Sequence, residues 1–139
     1  MKSDCVLDTN ILIYAAAGRA DEPHKFQIAQ RLVAEQNFGL SGQILAEFYT
    51  VMLRRTLVPP TQGEIDSWIE LLCHYPVAAI DESLVRAAIA LSQRWRISYW
   101  DAAILAAAER LAAPILYTED LGHGQTYGSV RVVNPFRSN

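Results

Sequence analysis

The chain has 139 residues, of which 51% are hydrophobic and 19% charged, with a formal net charge of −3 at pH 7. That length supports one domain with a real core, expected to span residues 1–139. The acidic balance excludes a general nucleic-acid coat protein, which would be basic, but it leaves a nuclease open. The longest apolar runs, Ile11–Ala17 and Ala102–Ala108, fall far short of a membrane span, and the opening residues lack the pattern of a secretory signal. Cys5 and Cys73 lack metal-ligand spacing and read as free thiols of a reducing compartment, so a cytoplasmic protein is expected.

Taken in chain order, Cys5–Asp8 is a short apolar run that ends abruptly in Asp-Thr-Asn, as a buried strand does before a helix. Thr9 is the expected cap of a helix through Asn10–Ala17, closed by Gly18. Pro23 opens a second helix with Phe26, Ile28, Ala29, Leu32 and Val33 on one face. Phe38–Leu40 predicts a second strand, and Ser41 caps a helix from Gln43 to about Arg55. Thr61 and Glu64 have the spacing of a capping box for a helix to about Cys73. Pro76–Ile80 is a third strand; Asp81 caps a helix to about Trp95, and Ser98 another to about Ala112. Pro114–Thr118 predicts a fourth strand and Arg131–Val133 a weaker fifth. Between them Leu121–Ser129 carries three glycines and is expected to be a mobile loop. Short apolar strands alternating with helices predict an α/β fold whose mainly parallel sheet of four to five strands is covered on both faces. Such sheets place their sites beyond the carboxyl ends of their strands.

Four carboxylates stand out against that frame. Asp8 ends the first strand, and with Thr9 or Asn10 free to cap, its side chain is expected to face the cleft. Glu47 lies on the border of the stripe formed by Ile44, Phe48, Val51 and Met52, where a structural acid without a partner is rare. Asp101 follows Ser98 at capping-box spacing, yet it also aligns with the apolar face of Ile104, Leu105, Ala108 and Leu111. Asp120 follows a strand end and so falls on the same sheet edge as Asp8, while Glu119 alternates away toward solvent. Gathering such acids is costly unless a cation or proton neutralises them. An oxygen-only donor set suits Mg²⁺ or Mn²⁺ better than zinc. Asn10 and Thr118 are neutral groups placed to support such a site. With those four acids committed, 12 cations face 11 remaining anions, and most of the cations are arginine, which suits phosphate.

Other chemistries fit poorly. The three histidines, His24, His74 and His123, are scattered, which excludes a zinc site or a triad; His123 reads as a loop residue beside Asp120. No glycine-rich phosphate loop is present. A haloacid-dehalogenase-like phosphatase or a receiver domain would need a later lysine, and the only lysines are Lys2 and Lys25. The aromatic cluster Trp95, Tyr99 and Trp100 has the chemistry to stack bases but reads better as core capping or a subunit contact.

Val6-Leu7-Asp8-Thr9-Asn10, Gln43-Ile44-Leu45-Ala46-Glu47-Phe48, Ser98-Tyr99-Trp100-Asp101-Ala102-Ala103-Ile104 and Tyr117-Thr118-Glu119-Asp120 resemble, in order and spacing, the four acidic motifs of the PIN-domain ribonucleases. The size resembles the VapC toxins of bacterial toxin–antitoxin modules. The resemblance implies a three-layer α/β/α fold and Mg²⁺- or Mn²⁺-dependent endonucleolytic cleavage of RNA, with tRNA or ribosomal RNA as target. It carries metal-ligand roles onto Asp8, Glu47, Asp101 and Asp120, and supporting roles onto Thr118 and Asn10. It also implies a homodimer and a VapB-type antitoxin that covers the acidic pocket. The alternatives are a PIN nuclease of RNA processing that has no antitoxin, and an inactive PIN module that binds RNA or protein. Arg19, Lys25, Arg94 and Arg96 are candidate phosphate contacts.

Overall fold

β1 (Cys5–Leu7) is three residues long and almost wholly inaccessible, because it runs through the middle of the sheet. Burying an aliphatic side chain of this kind contributes about 1.5–3 kcal/mol, so a short central strand is held firmly by its neighbours. The computed structural model describes residues 2–54 and 58–137. The elements follow as α1 (Thr9–Ala17), α2 (Pro23–Glu35), β2 (Phe38–Ser41), α3 (Gly42–Met52), α4 (Gln62–Leu72), β3 (Val77–Ala78), α5 (Glu82–Trp95), α6 (Tyr99–Arg110), β4 (Ile115–Tyr117), β5 (Thr126–Tyr127) and β6 (Val130–Val133).

Helix boundaries follow the capping chemistry. The Ser41 hydroxyl accepts from Ile44 N, Asp81 from Leu84 N, and Ser98 from Asp101 N. Thr61 and Glu64 complete both halves of their capping box. α1 differs from expectation: its cap is Asp8, whose Oδ1 accepts from Thr9 N at 2.7 Å, and Thr9 is already helical. Gly18 closes α1 by close approach, since a Cβ there would meet the Tyr14 carbonyl oxygen at 2.6 Å. The third helix ends at Met52, and Arg55, where its end was expected, lies outside the described residues.

The sheet has six strands in the order β3-β2-β1-β4-β6-β5, one more than the four to five expected. All pairings are parallel except β5 against β6. β5 falls inside Leu121–Ser129, the segment expected to be loop, because Thr126–Tyr127 turns back at Gly128 (φ +62°) onto β6. Helices flank the sheet: α1 packs on α2 and α3, and α3 on α4, while α6 packs on α5 and on β2, β4 and β6. α6 is buried continuously from Ala102 to Ala108, which explains its small apolar residues on every side. β1 pairs with β2 on one side and β4 on the other, so the strand order reverses there, and a crevice opens beyond its carboxyl end. Among the described residues no helix is long and apolar enough to cross a membrane.

Candidate active site

Asp8 occupies that crevice. Its backbone N–H donates to Tyr117 O at 3.0 Å, extending the β1–β4 pairing by one residue and fixing where the side chain starts. One carboxylate oxygen caps α1, and the other accepts from Thr118 Oγ1 at 2.8 Å. A Thr9 cap would have left Asp8 to the cleft alone; in the structure its two oxygens take two tasks, the α1 cap and Thr118. Asp8 is 6% exposed. Burial pushes its carboxyl up to about 6, aided by the neighbouring Asp120 and Glu47 charges and opposed by the Thr118 and Thr9 hydrogen bonds.

The Thr9 hydroxyl, released from capping, donates to Glu47 Oε1 at 2.9 Å and ties α1 to α3. Thr118 is fully buried; besides donating to Asp8, its Oγ1 accepts from Asp120 N at 3.1 Å and Asn10 Nδ2 at 3.3 Å. Asn10 Nδ2 also donates to Asp120 Oδ2 at 3.0 Å. Asp8, Thr118, Asn10 and Asp120 thus form one connected network across the β1 and β4 ends. Asp101 reaches the cleft from the first turn of α6. Only half of its capping box forms: Asp101 N donates to Ser98 Oγ, and its carboxylate makes no hydrogen bond among the described residues.

All four acids line one cleft of about 420 Å³, shared with Asn10, Gln43, Arg54 and Trp100. No described lysine or arginine forms an ion pair with any of them. Among the described residues no three carboxylate, histidine or cysteine side chains are gathered closely enough to grip one ion. Two observations nevertheless fit a hard cation. Among the described residues Asp8 is a buried carboxylate without a counter-charge, and the buried Asn10 Oδ1 is an acceptor without a hydrogen-bond partner. Mg²⁺ is commonly held by one or two carboxylates and several waters, so a closed cage is not required.

Beside this network the structure corrects two expectations. Glu119 is not solvated: its Oε1 accepts from Lys25 Nζ at 2.9 Å and its Oε2 from Tyr14 OH at 2.7 Å. Lys25 also lies over the Tyr14 and Phe136 rings and is committed there, not offered to phosphate. Burial and the Glu119 bond raise the Tyr14 hydroxyl, while the hydrogen bonds that Lys25 donates to Glu119 and Tyr14 hold its ammonium protonated. His123 is fixed as well, its Nδ1 accepting from Asn134 N at 3.0 Å. Arg19 lies over Phe26 and Arg94 over Trp95, and neither they nor Arg96 lines the cleft. The aromatic cluster divides: Trp95 packs edge-on against Tyr127, whereas Trp100 is exposed in the cleft. Arg54 lines the cleft and was not singled out by sequence. The signal was present, since Glu47, Thr50, Val51 and Arg54 follow helical three- and four-residue spacing.

Comparison with known proteins places this geometry. The family model described as PIN domain matches residues 5–128. No curated protein sequence matches the chain. Among solved structures, a toxin–antitoxin complex from Klebsiella pneumoniae aligns with a TM-score of 0.71 at 20% identity, covering 94% of this chain and 97% of that one. Mycobacterium tuberculosis VapC20, described as a sarcin-ricin loop cleaving toxin, aligns with 0.66 at 20% identity over 84% and 89%. VapBC2 from Rickettsia felis, bound to a DNA fragment from its promoter, aligns with 0.63 at 16% identity over 92% and 96%.

Proposed function

The chain belongs to the PIN domain family, and from that premise we propose that it is a divalent-metal-dependent endoribonuclease, the toxin of a toxin–antitoxin module. The observation that carries the chemistry is Asp8, a buried carboxylate with no cationic partner among the described residues, facing a cleft with three further acids. Asp8, Glu47, Asp101 and Asp120 would hold Mg²⁺ or Mn²⁺, with waters completing its coordination. When bound, the ion supplies activation of the attacking water and neutralisation of phosphate charge. Thr118 and Asn10 orient the carboxylates of Asp8 and Asp120 through the hydrogen bonds described, and Thr9 orients Glu47. The buried surroundings of Asp8 strengthen its hydrogen bond from Thr118.

The structural relatives support the biological setting. One is a toxin that cleaves the sarcin-ricin loop and others are toxin–antitoxin complexes. For this chain the substrate is RNA, tRNA or ribosomal RNA, and the partners are a VapB-type antitoxin and a second copy of the chain in a cytoplasmic homodimer. The test is incubation of purified protein with total bacterial RNA in Mg²⁺, in Mn²⁺ and in chelator, beside Asp8→Asn/Asp101→Asn. Discrete metal-dependent fragments, absent from the variant, are expected. A folded, antitoxin-free sample that cuts nothing under either metal would replace the nuclease with a binding module.

A further inference from the structure

Trp100 is 63% exposed, the most exposed of the large hydrophobic residues among those described. The others that are exposed, Tyr49, Leu53, Val58, Leu71, Ile80 and Ile89, do not line the acidic cleft, and Trp100 does. The indole is not loosely placed. Tyr99, packed against the core, meets it edge-on with ring centroids 5.0 Å apart and an interplanar angle of 80°. Gln43, itself buried, reaches the Trp100 carbonyl with its amide at 3.5 Å. Arg54, exposed at the end of α3, contributes to the same cleft and has no ion-pair partner among the described residues, although four carboxylates share that cleft.

An oriented aromatic face and a free guanidinium bordering a phosphodiester-cleaving centre match one ligand: a nucleotide whose base is out of its helix. A duplex keeps its bases stacked on one another and offers no face to Trp100, whereas an unpaired base does. Resting on the nuclease reading above, we propose that Trp100 and Arg54 form a selecting lip for unpaired RNA. Trp100 stacks a base next to the scissile phosphate, and Arg54 takes a flanking phosphate. The lip makes the enzyme prefer loops and single strands over duplex, with weak discrimination among bases, since every base has a stacking face.

The experiment measures fluorescence anisotropy of a fluorescein-labelled unpaired RNA 12-mer, and of the same sequence in duplex, with the full chain and Ca²⁺ in place of Mg²⁺. Trp100→Ala should weaken binding of the unpaired strand by about tenfold or more, and Trp100→Phe should restore most of it. Duplex binding should be unaffected by either change. Arg54→Ala should weaken both and lower the slope of affinity against salt by about one ion. An unchanged affinity in Trp100→Ala overturns the lip, as does an equal loss for duplex and single strand. So does a change of oligomeric state in Trp100→Ala with RNA binding intact, which would make the indole a protein contact. Cleavage of total RNA by the same wild-type sample reports separately on the nuclease reading. Protein that binds through Trp100 but does not cut refutes the nuclease, and protein that cuts equally well without Trp100 refutes the lip.

Discussion

Asp8 and Asp81 do the same local job in opposite surroundings. Each is the N-cap of a helix, α1 and α5 respectively, and each accepts from a backbone N–H there. Asp81 is exposed and gripped by Arg110, with Nη1 to Oδ2 at 3.0 Å and Nη2 to Oδ1 at 2.9 Å. That guanidinium, then the Leu84 and Ser83 bonds, hold its carboxyl well below the usual range. Asp8 is buried, has no cationic partner among the described residues, and is pushed up to about 6. A cap needs neither burial nor the loss of a counter-ion. The difference separates an acid that serves the fold from one whose compensation is left to something that binds, and pKa shifts of this kind cluster at functional sites.

The comparison breaks most sharply in catalysis. Asp8→Asn should lower RNA cleavage by about a hundredfold or more, since even residues that only orient a metal ligand cost 10–100-fold. Asp81→Asn should leave the rate unchanged and lower the melting temperature slightly. If Asp81→Asn proved as inactive as Asp8→Asn, the distinction between the two caps would fail.

A second, smaller effect is expected one residue from Asp120. Lys25, Tyr14 and Glu119 anchor the turn that carries Asp120, through contacts 2.7–2.9 Å long on the Glu119 carboxylate. Lys25→Met should reduce turnover by about tenfold with little change in KM, the effect of loosening a residue that orients a ligand. Lys25→Arg should recover part of it. Steady-state kinetics on one RNA decide this, and a pure KM effect would make Lys25 a substrate contact after all.

Stability offers the gentlest test, and its sign is opposite for the two caps. Between about 4 and about 6 the folded protein holds a proton on Asp8 that the unfolded chain has released, so the Asp8 contribution to stability falls as pH rises through that window. Without metal, its charge therefore costs on the order of 3 kcal/mol at neutral pH. Asp8→Asn should raise the melting temperature in chelator at pH 7.5 by about 6–12 °C and not at pH 4. Asp81, with its carboxyl lowered, stabilises the fold above its unfolded value and loses this as pH falls, so Asp81→Asn should melt lower at neutral pH. Melts across this range, with variant subtracted from wild type, isolate both contributions.

Much of this was legible in the residues. Apolar runs closed by Asp8 and Thr118, Pro23 at a helix start, and the caps Ser41, Thr61, Asp81 and Ser98 delimit most elements because each is a local signal. The placement of Asp8 and Asp120 on one edge followed from strand ends in a parallel sheet, and Glu47 and Asp101 reach the same cleft from α3 and α6. β5 was not legible, since two residues between turn glycines form a strand only by pairing with β6. The clamp on Glu119 was hidden because Lys25 lies 94 residues away in sequence. The double use of Asp8 has no local signal, since one carboxylate oxygen caps α1 within the chain's own turn and the other meets Thr118, 110 residues away.

The most direct measurement is calorimetric titration of Mn²⁺ into the folded, antitoxin-free chain, its Asp8→Asn variant and its Asp81→Asn variant. Saturable binding to wild type and Asp81→Asn, lost or weakened by about a hundredfold in Asp8→Asn, is the predicted result. Equal binding by all three proteins, or none by wild type, would contradict the assignment of Asp8 as the acid held in reserve for a metal ion.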